Sequence, residues 1–177
     1  MSIKLYKYTK SELDKLLKSI VVLVDTREKQ NKHITDFFDK HKIEYKRATL
    51  SYADYSFYLP QNDELGIVRD LYFDNLIAIE RKNSLEELSG NLAQNRQRFE
   101  DELLRASAKI TLMVEDASYD DIYSKKYRTK LSEKAFGASI ATFKHRYSMD
   151  VQFVSKENAG KFIYTEFYYW LREYLKK

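Results

Sequence analysis

The chain has 177 residues, a formal net charge of +4, 44% apolar residues, four glycines, one proline and no cysteine. This composition excludes a disordered or collagen-like chain, a disulfide framework and a thiolate zinc site, and the mild positive charge suits nucleic acid among many other partners. The length predicts a single domain over residues 1–177; Met1 to Lys7 lack the apolar stretch of a secretion signal and no later run is long enough to span a bilayer, so a soluble, cytoplasmic protein is expected.

In chain order, Leu13, Leu16 and Leu17 have helical spacing between Ser11 and Ile20. The run Val21-Val22-Leu23-Val24 then reads as a buried strand ending in Asp25. Ile34, Phe37 and Phe38 predict a second helix toward His41, and Ile43 to Ala48 an extended segment. Tyr55–Leu59, Gly66–Tyr72 and Leu76–Lys82, separated by turns at Pro60–Asp63 and Asp74-Asn75, predict a meander. From Ser84 to Ser107 an apolar stripe without proline predicts one long helix. A strand at Ile110–Val114 ending in Glu115, a helix at Ser132–Tyr147, a short strand at Val151–Val154 and an aromatic-rich helix from Lys156 to Lys177 complete the pattern. No internal repeat or low-complexity tract interrupts it.

The sharpest chemical signal is Glu80-Arg81-Lys82 at the end of an apolar strand. Residues two apart on a strand share a face, so Glu80 and Lys82 converge while Arg81 points away. Asp25, Asp54 and Glu80 all stand at strand ends, and three carboxylates meeting at one sheet edge suit magnesium, which accepts a few protein oxygens beside water and phosphate. Lys82 beside them would orient an attacking hydroxide or stabilise charge on phosphorus. An isolated strand-end acid is more often a solvated turn residue, which for Asp54 alone is the better reading. A Glu80–Lys82 or Glu28–Arg81 ion pair would offset the burial of Glu80 as well, so spacing alone leaves ion pairing and metal chemistry level.

Val24-Asp25-Thr26-Arg27-Glu28, Ala53-Asp54-Tyr55 and Ile79-Glu80-Arg81-Lys82, in that order, resemble the nuclease domain of the XPF-type structure-specific endonucleases, a branch of the restriction-endonuclease-like PD-(D/E)XK superfamily. The resemblance is concentrated in residues 21–115, with residues 116–177 a helical part that implies dimerisation. It implies an α/β fold with a mixed central sheet flanked by helices. It also implies metal ligation by Asp25, Asp54, Glu80 and the Arg81 carbonyl, Lys82 as catalytic lysine, and Arg27 and Glu28 as organisers of the site. Mg²⁺ is the implied cofactor, with Mn²⁺ able to substitute, and branched, flapped or junction DNA the implied substrate; a homodimer follows, with neither a membrane nor a small-molecule cofactor. Either Arg96 or Arg98 matches the family's helix arginine, with Arg98 preferred, and either Glu86 or Glu87 the acid after the lysine. Ala53 replaces a customary glycine, which predicts a less tight turn. The compact length resembles stand-alone members from bacteria and phages.

Arg81, Arg96, Arg98, Lys125, Lys126, Arg128 and Lys130 are candidate phosphate contacts, with a solvated loop the competing reading for the last four. Tyr119, Tyr123 and Tyr127 are spaced either to stack on unpaired bases or to pack, and the aromatic surface of the last helix suits either a subunit interface or the core. A binding module with the same fold but no cleavage is the rival to the nuclease.

Overall fold

The computed structural model describes residues 8–176; the expectations for Met1 to Lys7 and for Lys177 lie outside the described residues. The chain alternates helices and strands: α1 (Lys10–Lys18), β1 (Val21–Asp25), α2 (Lys32–His41), β2 (Tyr45–Ala48), β3 (Tyr55–Leu59), β4 (Leu71–Tyr72) and β5 (Ile77–Lys82). Then come α3 (Leu85–Ala93), α4 (Arg96–Arg105), β6 (Lys109–Glu115), α5 (Tyr119–Tyr123), α6 (Glu133–Arg146), β7 (Asp150–Val154) and α7 (Ala159–Leu175).

One mixed sheet runs in the order β2-β1-β3-β5-β6-β7, with β4 beside β3. β3 alone is antiparallel to its neighbours; β1 pairs β2, and β5 pairs β6, in parallel, as does β6 with β7. The carboxyl ends of β1, β5 and β6 and the amino end of β3 therefore meet at one end of the sheet, which gathers Asp25, Asp54, Lys82 and Glu115. Side-chain alternation divides the core: Ile77, Ile79 and Met113 face α1, α2 and α7, whereas Ala78, Leu112 and Val114 face α3, α4 and α6. Burial on both faces explains why β1 and β6 read as unbroken apolar runs.

Three sequence expectations change. The meander is not formed, because β4 and β5 lie end to end along the same edge of β3, pairing Tyr72 with Tyr58 and Ile79 with Tyr55, so Asp74-Asn75 is no reversal. The strand expected from Gly66 shrinks to Leu71–Tyr72, since Asn62 accepts from the Leu65 N–H and Gly66 takes φ 72°, closing a 3-10 turn. The long helix breaks at Gln94-Asn95, whose N–H groups both reach the Gly90 carbonyl, at 2.9 and 3.3 Å. Asparagine readily leaves helical geometry, and Asn95 stands at the N-cap position of the restart without a side-chain capping bond.

The apolar surface of α7 is satisfied within the chain. Ile163, Phe167 and Leu171 are buried against α1, α2 and β3, and Trp170 packs edge-on to Phe57 and Phe73. Tyr169 and Tyr174 remain exposed. No helix among the described residues is long and apolar enough to cross a membrane.

Candidate active site

Asp54 is placed by main-chain bonds on both sides. Its N–H donates to the Ile79 carbonyl of β5 at 3.1 Å, and its carbonyl accepts from the Asp25 N–H of β1 at 2.8 Å. The preceding Ala53 has φ 59°, the left-handed region that glycine favours, so the turn is kept tight despite the alanine. The expected loosening does not occur. Asp54 Oδ2 then accepts from the Arg81 N–H at 2.8 Å, which fixes the carboxylate against the motif strand.

Glu80 and Lys82 share a face of β5 as the spacing predicts, with Lys82 Nζ 2.7 Å from Glu80 Oε1. They open on a cleft of about 350 Å³ between the sheet end and α3–α4, whose walls include Glu28, Asp54, Glu87, Asn91, Arg98 and Glu102. Burial pulls the Lys82 pKa down, but Glu80, Glu87 and Asp54 outweigh it and hold the ammonium charged. Lys82 also sits 5.0 Å from the centre of the Phe99 ring. Burial pushes the Asp54 pKa well above the usual carboxylate range, and Glu80 and Glu28 add to the rise. Burial likewise raises Glu28, against the opposing pull of Arg81.

Arg81 points to the far face, where its guanidinium bonds Glu115 at 2.7 and 2.8 Å and Glu28 at 3.1 Å. It is 5% exposed, so its side chain is not available to phosphates, correcting that expectation: strand alternation commits it to the α2 side. His33 of α2 completes this group at 2.8 Å from Glu115. Both ion pairs weighed from the sequence, Glu80–Lys82 and Glu28–Arg81, are present.

Asp25 does not join the cleft. Its Oδ1 accepts from the Arg27 N–H at 2.8 Å and from Arg27 Nε at 2.7 Å, and its Oδ2 from the Leu50 N–H at 2.8 Å and Arg27 Nη2 at 3.1 Å. The three-carboxylate set thus contributes Asp54 and Glu80, and the cleft's other acids are Glu28, from the same motif as Asp25, with Glu87 and Glu102 of the helices. Among the described residues no three such side chains form a ready metal cage. Magnesium needs none, because it keeps several waters and takes one or two carboxylates plus phosphate. Hard oxygen donors whose ionisation is opposed by one another fit such a cation, which would offset that repulsion.

The helices place the two pairs of candidates differently. Arg98 lines the cleft, whereas Arg96 bonds Glu100 at 2.8 Å and Ser139 at 2.9 Å and lies over Phe143, tying α4 to α6. Glu87 faces the cleft, 3.9 Å from Lys82, while Glu86 accepts from the Arg128 N–H at 2.7 Å. Lys126 pairs with Asp121; Lys125, Arg128 and Lys130 are exposed in the loop before α6, outside the cleft lining. Tyr127 is buried edge-on to Phe136 and Tyr119 packs on Phe153, leaving Tyr123 exposed. Sequence reasoning missed Asn91, Asn95, Glu102 and Arg105 on the cleft wall. With Glu87 and Arg98 they form a polar stripe at steps of three and four, a helical period that could have identified them.

The same fold occurs in XPF from Aeropyrum pernix, with TM-score 0.63 and 17% sequence identity over 86% of this chain and 65% of that one. A second structure of that protein, in complex with DNA, matches with TM-score 0.61 and 15% identity over the same shares. This chain therefore spans just under two thirds of those solved chains. No curated protein matches it by sequence. The α/β fold with a mixed central sheet flanked by helices, which the resemblance implies, is borne out. Residues 24–165, which include every motif residue from Asp25 to Lys82, match the ERCC4 domain, and the chain belongs to that family.

Proposed function

We propose that the protein is a metal-dependent DNA endonuclease that hydrolyses phosphodiester bonds in branched, flapped or junction DNA. The observation that carries this reading is the meeting of Asp54, Glu80 and the charged Lys82 at one wall of a polar cleft, with Asp54 resisting ionisation. A pure binding module has no use for acids facing a polyanion.

Asp54 and Glu80, with Glu28 and the Arg81 carbonyl beside them, would hold Mg²⁺ or Mn²⁺. Held there, it would supply Lewis acidity to a phosphoryl oxygen and a lowered pKa to a bound water. Lys82, whose carboxylate neighbours favour its protonated form, acts as a positive charge that stabilises charge on the phosphate. Arg98, 82% exposed in its side chain and held at one edge by Glu102, supplies a cation that reaches the DNA backbone. Water attacking in line leaves 5′-phosphate and 3′-hydroxyl ends.

The deciding experiment incubates purified protein with flap, splayed-arm, junction and linear DNA in Mg²⁺, Mn²⁺ or chelator. Metal-dependent cleavage of the branched forms, lost in Asp54→Ala, Glu80→Ala and Lys82→Ala, is expected. Binding of the same DNA without any cleavage would replace this reading with that of an inactive module. The proposed enzyme is a cytoplasmic homodimer, and a monomer in light scattering would remove the dimer without touching the chemistry.

A further inference from the structure

The helix layer on the sheet face away from α3 and α4 carries a second positive site. Lys18 at the end of α1, Lys42 just beyond α2 and Lys161 in the first turn of α7 border an open groove of about 520 Å³ with Phe37, His41 and Tyr164. Among the described residues no carboxylate lines it. Lys32, Arg98, Lys126 and Lys176 each pair with a carboxylate elsewhere on the surface. The three groove lysines take part in none of the ion pairs among the described residues.

Two of these charges have a local reason. Lys18 and Lys42 sit at helix carboxyl ends, where a cation complements the dipole. Lys161 has none: it lies at the amino end of α7, whose first turn holds no acid. The fold also forces the charges together. A Cβ on Gly160 would come within 2.9 Å of Phe37, so α7 meets α2 at a distance only glycine permits. Like charges crowded around a groove without an acid repel one another, and an anion relieves that repulsion.

We propose that this groove binds the unpaired strand of the branched DNA, the lysines on its phosphates and Phe37, His41 and Tyr164 against its bases. The inference rests on the DNA-nuclease reading and names the part of the substrate held outside the cleft. Aromatic rings set among cations are the combination that holds single strands irrespective of sequence. α2 supplies the path. His33 in its first turn bonds Glu115 at the catalytic end, and His41 at its last residue lines the groove. Ten helical residues span about 15 Å, so α2 carries the groove about that far from the end of the sheet that holds the site.

The test measures fluorescence anisotropy of an oligo-dT strand in chelator, with wild-type protein and with Lys18→Gln/Lys42→Gln/Lys161→Gln. Loss of three phosphate contacts should weaken binding about tenfold or more and flatten the dependence of log affinity on log salt by about 2. Flap cleavage in Mg²⁺ should show a raised KM at unchanged kcat. Tyr164→Ala should weaken oligo-dT binding while leaving the salt slope intact. Circular dichroism checks folding, and Lys161→Gln alone serves if the triple variant fails. Unchanged affinity and slope would overturn the groove while flap cleavage still upheld the nuclease. Displacement of oligo-dT by polyglutamate at equal charge would overturn it in favour of an acidic peptide. Absence of cleavage on every DNA would sink the nuclease reading, and oligo-dT binding in chelator would still report the groove separately.

Discussion

Arg81 and Glu115 form a two-point ion pair across β5 and β6, Nε to Oε1 at 2.7 Å and Nη2 to Oε2 at 2.8 Å, on the face opposite the cleft. The same Arg81 offers its N–H to Asp54, so a buried pair on one face steadies an acid on the other. Glu115→Ala leaves a buried guanidinium with Glu28 alone and should cost about 3–5 kcal/mol in urea unfolding. A cost below about 1 kcal/mol would show that the pair does not anchor the strand ends.

Asp25→Ala should act on stability before chemistry. It removes all three Arg27 contacts and leaves the buried Leu50 N–H without its acceptor, for about 2–3 kcal/mol, with Arg27 discounted because it is exposed. Burial raises the Asp25 pKa, yet the bonds from Arg27 and Leu50 outweigh it and hold the group below its ordinary 3.8. Its stabilisation is therefore present above 3.8 and lost as pH falls through the lower folded value. An acid titration of wild type against Asp25→Asn checks the sign.

Asp54 behaves oppositely. Its raised folded value means that stability is fully present below 3.8 and lost as pH rises through that value. In chelator at neutral pH, Asp54→Asn should be more stable than wild type, because it removes the cost of ionising a buried carboxyl beside Glu80. The advantage should vanish in acid. Mg²⁺ should raise the wild-type Tm increasingly with pH and leave Asp54→Asn unmoved, as differential scanning fluorimetry would show.

Arg96→Ala and Arg98→Ala should separate cleanly. The first loses the tie to Ser139 and the Phe143 ring and should cost about 1 kcal/mol of stability with DNA affinity unchanged. The second should leave Tm within about 0.5 kcal/mol equivalent and reduce cleavage roughly tenfold or more. Reversed results would assign the cleft arginine to Arg96.

Ala53→Gly should stabilise the protein by up to about 1 kcal/mol, contrary to the usual cost of that change, because φ 59° penalises a Cβ by about 1–2 kcal/mol and glycine entropy returns part of it. Thermal unfolding gives the sign.

Three short motifs carried the resemblance to the family, and the sequence by itself determined the strands that open near Val21, Tyr55, Leu76 and Ile110 and the placing of Glu80 and Lys82 on one face. Those depend on apolar periodicity and two-residue alternation, which are local. The end-to-end course of β4 and β5 was not legible, because which edge of β3 they occupy depends on partners far along the chain. The break at Asn95 was hidden by an apolar stripe that continues across it on both sides. Only the tertiary structure decided that Asp25 is consumed by Arg27 and Leu50, that Arg81 turns to Glu115, and that Arg98 rather than Arg96 meets the cleft. A residue's type announces what it can bind; which partner reaches it first depends on the packing of segments far apart in sequence, and that competition is resolved only when the sheet and its two helix layers close.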